Sequence, residues 1–236
     1  MPDDEVTIAP RFNGPPGSAN GGYACGVVAA AIGSSAQVSL RLPPPLGVPL
    51  GRRVAADGSI RLLDGEAIVA EGRPGRPAGD VPAAPQLSDA ERASARAGWR
   101  RPEAHPYPGC FVCGPLREGD GLRLLAGPVK GDAGLLACPW RPAEELAAGD
   151  EVDPVFVWAA LDCPSGFACI PAGTSTVLAS MTATLEAPLR PGGDYVVTAW
   201  SLGSEGRKHR AGSAIHEAGG RRVAWAETLW ITLRAG

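Results

Sequence analysis

A single carboxylate in an otherwise apolar helix is the side chain of this sequence best suited to acid–base chemistry. Asp162 directly follows the run Phe156-Val157-Trp158-Ala159-Ala160-Leu161. Burial among such neighbours disfavours the charged form, so we expect the pKa of this carboxyl to be raised. The group could activate a water molecule or attack an electrophile directly. The structural alternative is that Asp162 accepts hydrogen bonds where Pro164 makes the helix kink or stop.

A pair of glycines at the beginning of a predicted helix offers a complementary electrostatic group. Gly21 and Gly22 follow Asn20, which can cap the helix, as can Ser18. The first N–H groups of a helix have no partner within it, and glycine places no side chain over them. Donors at Gly21, Gly22 or Tyr23 could therefore stabilise an oxyanion. The structural alternative is a tight helix start that lets the backbone pack on a sheet.

Cys110 and Cys113 have a spacing that is common among zinc ligands, and His105 lies close by in the sequence. Zinc sites usually show a second close ligand pair, and the possible remote partners Cys138, Cys163 and Cys169 form none. A redox motif would need a helix at the pair, whereas the pattern predicts the beginning of a strand. We therefore expect two packed thiols and no metal.

Two further motifs bear on function. The run Arg207-Lys208-His209-Arg210 could receive phosphate groups, although a solvated hairpin is the commoner explanation of such a run. The sequence contains no Gly-x-Ser-x-Gly elbow, which argues against an α/β-hydrolase.

Composition and charge exclude several classes of protein. The chain has 236 residues, 44% of them hydrophobic, which fits one large domain or two small ones. A net charge of −3 gives no reason to expect nucleic acid or an acidic membrane as a partner. The acidic N-terminus lacks the pattern of a signal peptide, and no apolar run is long enough for a membrane span. We expect a cytoplasmic protein with reduced cysteines.

The first half of the chain predicts one helix followed by antiparallel strands. The helix covers 21–32 and ends at Gly33. Alternating apolar residues predict four strands after it. They cover 38–42, 53–55, 59–62 and 67–70, and Asp-Gly pairs at 57–58 and 64–65 predict hairpin turns between the last three.

The second half repeats this pattern with an extra hairpin before the helix. We predict strands at 122–125 and 134–140, a helix that begins at Asp153-Pro154, and then four strands. Those four cover 177–185, 195–202, 211–216 and 222–233. Between the halves lies a linker with a short helix that begins at Ser88. The chain thus divides into 1–74, 75–104 and 105–236, each half of α+β class.

Three segments resemble hotdog-fold acyl-CoA thioesterases. Asn20-Gly21-Gly22 resembles the triplet that opens their central helix. Cys110-Phe111-Val112-Cys113-Gly114, with Gly121-Leu122-Arg123-Leu124 after it, resembles the beginning of the first strand in phenylacetate-pathway-like members. Trp158-Ala159-Ala160-Leu161-Asp162 resembles the helix segment with the catalytic aspartate. The layout of nearly the whole chain is similar to that of the double-hotdog acyl-CoA thioesterases.

This resemblance implies two fused hotdog folds whose helices pack on one continuous antiparallel sheet. An acyl-CoA thioester would lie between the halves and be hydrolysed to free acid and coenzyme A, without a cofactor or metal. Asp162 would be the base or nucleophile, and the amides of Gly21 and Gly22 the oxyanion hole. The expected substrate-binding residues are Asn20, Tyr23, Trp158, Ser165, Glu227, Thr228 and Arg207. Such a fusion contains its own internal dimer, so the resemblance leaves both a monomer and a homo-oligomer open.

The sequence departs from the family pattern in one respect. The double-hotdog thioesterases pair their aspartate with a threonine and a glutamine on neighbouring strands, but no glutamine follows Asp162 here. The last strand offers Glu227 and Thr228 instead, and other hydroxyls are available at Ser165, Ser180 and Thr182. An alternative function is therefore a non-catalytic hotdog protein that binds acyl thioesters or lipids. A hotdog hydratase ranks last, because it needs a histidine on or beside the helix and neither predicted helix contains one.

Overall fold

The computed structural model describes residues 4–87, 105–117, 119–171 and 174–234. Within these residues the chain forms two α-helices, α1 (Gly21–Ala29) and α2 (Pro154–Cys169). Short 3-10 turns cover Pro10–Phe12 and Glu144–Leu146. The described strands are β1 (Asp4–Thr7), β2 (Ser35–Leu40), β3 (Pro49–Val54), β4 (Ile60–Asp64), β5 (Ala67–Pro74), β6 (Gly127–Val129), β7 (Asp132–Trp140), β8 (Ala147–Ala148), β9 (Glu151–Val152), β10 (Thr176–Leu185), β11 (Tyr195–Glu205), β12 (Lys208–Glu217) and β13 (Arg222–Thr232).

Most of these strands belong to one antiparallel sheet of 11 strands, in the order β1-β3-β4-β5-β2-β10-β13-β12-β11-β7-β6. Strands β8 and β9 form a separate pair. At the middle of the large sheet β2 pairs with β10, so that Val38 lies opposite Met181. We call this β2–β10 pairing the seam, because it joins the first half of the chain to the second. The α+β class predicted from the sequence is confirmed.

The two halves have the same topology on either side of the seam. In the first half the chain runs β1, α1, β2, β3, β4, β5, and the strands lie side by side as β1-β3-β4-β5-β2. In the second half it runs β7, α2, β10, β11, β12, β13, and the strands lie as β7-β11-β12-β13-β10. In each half the strand that follows the helix lies at the seam. The second half adds β6 at the edge of the sheet and the small β8–β9 pair.

The two helices pack against the sheet and against each other, with only glycine backbone between them at their closest points. A Cβ atom on Gly22 would lie 2.4 Å from Asp162 Cβ, and one on Gly26 would lie 2.9 Å from Val155 Cα. The helices run antiparallel, because the neighbours of α1 move from Asp162 back to Val155 as α1 advances. This contact brings the beginning of α1 beside the middle of α2.

Several local predictions are wrong. Residues 122–125 form no strand: Arg123 has a φ of 53°, and the N–H groups of Leu122 and Leu124 donate to the Phe111 and Val112 carbonyls. Cys110 to Cys113 lie in a turn and not at the beginning of a strand. Strand β1 has no counterpart in our sequence prediction, since so short a segment shows little alternation. The predicted helix from Ser88 lies outside the described residues.

Helix α1 is shorter than predicted, and α2 is longer. α1 ends at Ala29, whose carbonyl accepts hydrogen bonds from the N–H groups of Ile32 (2.8 Å) and Gly33 (3.0 Å) in the turn that follows. α2 does not stop at Pro164 but continues through it. Among the described residues, no helix is long and apolar enough to span a bilayer.

Side-chain donors surround the proline of α2. A proline removes one helical N–H donor and clashes with the preceding turn. Ser213 Oγ donates to the Leu161 carbonyl (2.6 Å), and Ser165 Oγ donates to the Asp162 carbonyl (2.7 Å). The carbonyl that Pro164 deprives of its helical donor is that of Ala160, and these two bonds lie at the next two carbonyls along the helix.

The close contact of the two helices predicts that replacing a helical glycine with alanine lowers the free energy of unfolding, which is the reverse of the usual effect. In a helix, alanine is normally more stable than glycine by about 1 kcal/mol. Gly26→Ala should instead destabilise the protein by about 1–3 kcal/mol, because its Cβ would clash with backbone of α2. Urea unfolding measures the difference. The control is Gly51→Ala, whose Cβ would meet open space. Equal or greater stability of Gly26→Ala would contradict the described contact.

Candidate functional site

The carboxylate of Asp162 lies at the N-terminus of α1, although the residue itself belongs to α2. Its Oδ2 atom accepts hydrogen bonds from Asn20 Nδ2 (2.7 Å) and from the Gly22 N–H (3.0 Å). Asn20 also caps α1, because its Oδ1 accepts from the Tyr23 N–H at 2.9 Å. Three of the predicted site residues, Asn20, Gly22 and Asp162, are thus brought together from both halves of the chain.

Burial controls the electrostatics of this carboxylate. The side chain of Asp162 is enclosed, with the residue only 1% exposed. Desolvation raises the pKa of Asp162 to about 7, and the hydrogen bonds from the Gly22 N–H and Asn20 oppose this rise. Its second oxygen, Oδ1, has no hydrogen-bond partner within the described part of the chain. Asp162 therefore combines a raised pKa with an unused acceptor, which are two properties of a general base.

Three buried cysteine sulfurs lie beside this carboxylate. Cys110, Cys113 and Cys163 have Sγ atoms within 4.8 Å of one another, and Cys163 Sγ lies 4.0 Å from Asp162 Oδ2. Asn20 Nδ2 lies 3.9 Å from Cys110 Sγ and 3.7 Å from Cys163 Sγ. The sequence placed Cys163 only as a remote possible partner of the pair, whereas α2 brings it into contact with them. We call these three residues the thiol cluster.

The pKa values of the three thiols are shifted in different directions. Hydrogen bonds from Cys113 and Cys163 hold the pKa of Cys110 well below its usual range. The same contact with Cys110 raises the pKa of Cys163 well above it. Burial raises the pKa of Cys113.

A cavity of about 630 Å³ reaches the beginning of α1 across the seam. Gly21 forms part of its wall, and no acceptor bonded to the Gly21 N–H is found among the described residues. The volume of this cavity falls within the range of small-molecule binding sites. Apolar side chains from both halves dominate the rest of the wall; they include Leu40, Leu42, Val177, Leu178, Ile231 and Leu233.

Sequence reasoning did not find these cavity residues. Leu42 is 45% exposed and Leu233 is 46% exposed, so both place large apolar surface in water at the cavity. Exposed apolar surface beside a pocket is typical of binding sites. The sequence held only part of the information needed to predict this cavity. It placed Leu42 at the end of a predicted strand, but it did not place Leu42 and Leu233 in the wall of one cavity.

The predicted hydroxyl residues form a separate network behind α2. Thr228 Oγ1 lies 2.8 Å from Ser165 Oγ, and Trp230 Nε1 donates to Ser165 Oγ at 3.0 Å. Ser165 in turn donates to the backbone carbonyl of Asp162. The network therefore reaches Asp162 through its main chain, and no described hydrogen bond joins it to the carboxylate.

The remaining predicted residues are spread over the molecule. Glu227 Oε1 accepts from the N–H groups of Ala78 (3.1 Å) and Gly79 (2.6 Å), so it holds the linker. The Tyr23 ring stacks on Phe12 with ring centroids 4.2 Å apart. Trp158 is buried between the helices and lines a different cavity, of about 560 Å³.

Arg207 is not part of the wall of the larger cavity, but it bonds a residue next to that wall. Its Nη1 atom donates to the Thr232 carbonyl at 3.1 Å, and Thr232 directly precedes Leu233 in the cavity wall. Arg41, which the sequence analysis did not single out, is itself part of that wall and pairs with Glu71 at 3.1 Å. One arginine, Arg41, therefore lines the cavity, and a second, Arg207, bonds a residue adjacent to its wall.

The fold is shared with solved thioesterase structures. No family model matches the sequence, and no curated protein matches it. The TesB protein of Mycobacterium avium subspecies paratuberculosis is similar over 98% of this chain and 93% of its own, with a TM-score of 0.66 and 14% identity. The chain has the fold of this protein. The resemblance inferred from the three sequence motifs is confirmed at that level.

Two further solved structures agree. The acyl-CoA thioesterase II TesB2 of Mycobacterium marinum is similar over 99% of this chain and 94% of its own, with a TM-score of 0.60 and 12% identity. A protein of unknown function with a hot dog fold from Alicyclobacillus acidocaldarius covers the same shares at a TM-score of 0.52 and 8% identity. At such identities the likeness concerns the fold and not the activity.

The double role of Asn20 can be separated by two substitutions. Asn20→Ala should lower the free energy of unfolding by about 1–3 kcal/mol, because it removes both the cap of α1 and a donor to a buried carboxylate. Asn20→Ser keeps a capping oxygen and should recover about 1 kcal/mol of that loss. Chemical unfolding measures both. Equal stability of the two variants would show that the cap contributes nothing.

Proposed function

We propose that this protein hydrolyses acyl-CoA thioesters, with each half of the chain folded as one hotdog unit. The observation that carries the proposal is the buried carboxylate of Asp162 held at the N-terminus of α1, next to a cavity that reaches Gly21. The repeated topology on either side of the seam supports a division into 1–74, 75–104 and 105–236. The names of the TesB-type neighbours favour a thioester as substrate.

The geometry supports separate roles for the Gly21 N–H group and the Asp162 carboxylate in the reaction. The acyl thioester enters the cavity with its carbonyl oxygen directed at the Gly21 N–H, a donor at a helix N-terminus. Asp162 takes a proton from a water molecule, and the water oxygen bonds to the carbonyl carbon. The negative charge on the carbonyl oxygen then re-forms the C=O bond, the C–S bond breaks, and the departing thiolate of coenzyme A takes up the proton that Asp162 removed from the water, which restores the carboxylate. The products are the free acid and coenzyme A.

The Gly22 N–H has a different part in this proposal from the one expected from the sequence. It already donates to Asp162, and the Tyr23 N–H donates to Asn20. Of the first three amides of α1, Gly21 is the one without a described acceptor. We therefore assign Gly22 and Asn20 to orienting the carboxylate, and Gly21 to the oxyanion.

The proposal is tested by thiol release from a panel of short-chain, medium-chain, long-chain and aromatic acyl-CoA esters. We expect turnover of at least one of them, and Asp162→Asn should lower kcat/KM by about 100-fold or more, as loss of a general base does. Asp153→Asn is the matched control: Asp153 caps α2 in the way that Asn20 caps α1, and asparagine caps equally well. An unchanged rate in Asp162→Asn would remove this residue from the reaction.

One observation favours a second function, binding without turnover. Asp162 is almost fully enclosed and is not part of the cavity wall. A protein that keeps the cavity but gives water no access to the carboxylate would bind an acyl thioester and leave it intact. Tight binding of a non-hydrolysable acyl-CoA analogue by calorimetry, with no thiol release from any ester of the panel, would decide for this function.

The arginines in and beside the cavity wall, Arg41 and Arg207, suggest how coenzyme A itself is recognised. Arg207→Ala should raise KM for an acyl-CoA about fivefold, because an exposed charge pair with a phosphate contributes little more. The same change should leave KM unaltered for the matching N-acetylcysteamine thioester, which lacks the phosphates. Arg221→Ala serves as control, since Arg221 is an exposed arginine of the β12–β13 turn. Equal effects on both esters would contradict phosphate binding by Arg207.

A further inference from the structure

We propose that the thiol cluster, Cys110, Cys113 and Cys163, binds one Zn²⁺ ion. The sequence predicted no metal because the Cys110–Cys113 pair had no second ligand pair close by, but α2 brings Cys163 to the pair in one buried place. Thiolate sulfur is the ligand type that selects zinc among the common divalent ions. This proposal concerns metal binding and does not depend on the reaction proposed above.

The separation of the sulfurs fits a shared ion. Cys110 Sγ and Cys163 Sγ are 3.8 Å apart, and all three Sγ atoms lie within 4.8 Å of one another. A tetrahedral zinc with Zn–S bonds of about 2.3 Å separates its sulfurs by about 3.8 Å. One pair is thus already at the distance that the ion requires, and the third sulfur lies within 4.8 Å of both.

An amide donor and a tight turn lie at the cluster. Asn20 Nδ2 is 3.9 Å from Cys110 Sγ and 3.7 Å from Cys163 Sγ. Hydrogen bonds to the ligand sulfurs are a regular part of thiolate metal sites. The turn is closed by the Gly114 N–H, which donates to the Cys110 carbonyl at 2.8 Å. A Cβ on Gly114 would lie 2.4 Å from that carbonyl oxygen, so the turn depends on glycine at this position.

The surroundings supply a second, independent observation. Asp162 Oδ1 is a buried oxygen with no hydrogen-bond partner in the described residues, and Asp162 Oδ2 lies 4.0 Å from Cys163 Sγ. An unpartnered buried oxygen is costly unless something satisfies it. The oxygen near the sulfur is Oδ2, which already has two donors, so a cation in the cluster would act on the negative charge of the carboxylate as a whole. Three protein sulfurs also leave one tetrahedral position open, as in zinc sites that bind water or substrate.

The first test is the metal content of the full chain purified under reducing conditions from zinc-supplemented cells. We expect about one zinc ion per chain, measured by inductively coupled plasma mass spectrometry. Replacement by Co²⁺ should give the charge-transfer absorption of thiolate ligands, and removal of the ion with a chelator should lower Tm by about 5 °C or more. Absence of both zinc and the cobalt absorption would overturn the proposal, as would a Cys110–Cys163 disulfide in the reduced preparation.

Variants identify the ligands. Cys110→Ser, Cys113→Ser and Cys163→Ser should each lose the zinc, whereas Cys138→Ser, a buried cysteine of β7 outside the cluster, should retain it. If the cluster variants fail to fold, titration of the wild type with a mercurial gives the answer, because zinc release should require modification of three thiols. Zinc retained in all three variants would overturn the assignment. Asp162→Asn should retain zinc whatever its activity, and loss of the ion in that variant alone would contradict a three-sulfur site.

Discussion

A hydrogen bond between the carboxylate of one helix and the first turn of the other constrains the rest of this structure. A buried carboxylate is costly unless donors surround it, and the N-terminus of a helix provides such donors without a counter-ion. Asp162 meets the Gly22 N–H only because α1 and α2 approach until backbone touches backbone. That approach in turn requires both helices to lie on a single sheet, which the seam between β2 and β10 provides.

The site also shows how one small volume can hold several polar groups. Asn20 caps its own helix with one amide atom and bonds Asp162 with the other, and its nitrogen lies within 4 Å of two sulfurs. A substitution at any of these side chains therefore changes the environment of all the others. Contacts among the thiols lower the pKa of Cys110 and raise that of Cys163, whereas burial is the main cause of the raised pKa of Asp162.

Local sequence signals predicted what depends on local physics. Asn-Gly-Gly predicted a capped helix, the Asp-Gly pairs predicted hairpins, and the apolar run before Asp162 predicted a buried carboxylate. The sequence could not predict features that arise when distant segments meet. The turn at Cys110 depends on bonds from Leu122 and Leu124, and the cavity wall depends on the register of the seam. Likewise, the bond from Ser213 of β12 to the Leu161 carbonyl, one turn before the proline of α2, joins segments that are far apart in the sequence.

The repeated topology invites a comparison of the two helices position by position. Asp162 is the ninth residue of α2, and the ninth residue of α1 is Ala29. Ala29 lies with Asp153 and Pro154 in the wall of the 560 Å³ cavity, which is the mirror place at the beginning of α2. A dimer of identical subunits would have the same residue at both positions, because one gene encodes both. The two halves of a single chain can differ, and here one has a carboxylic acid where the other has a methyl group.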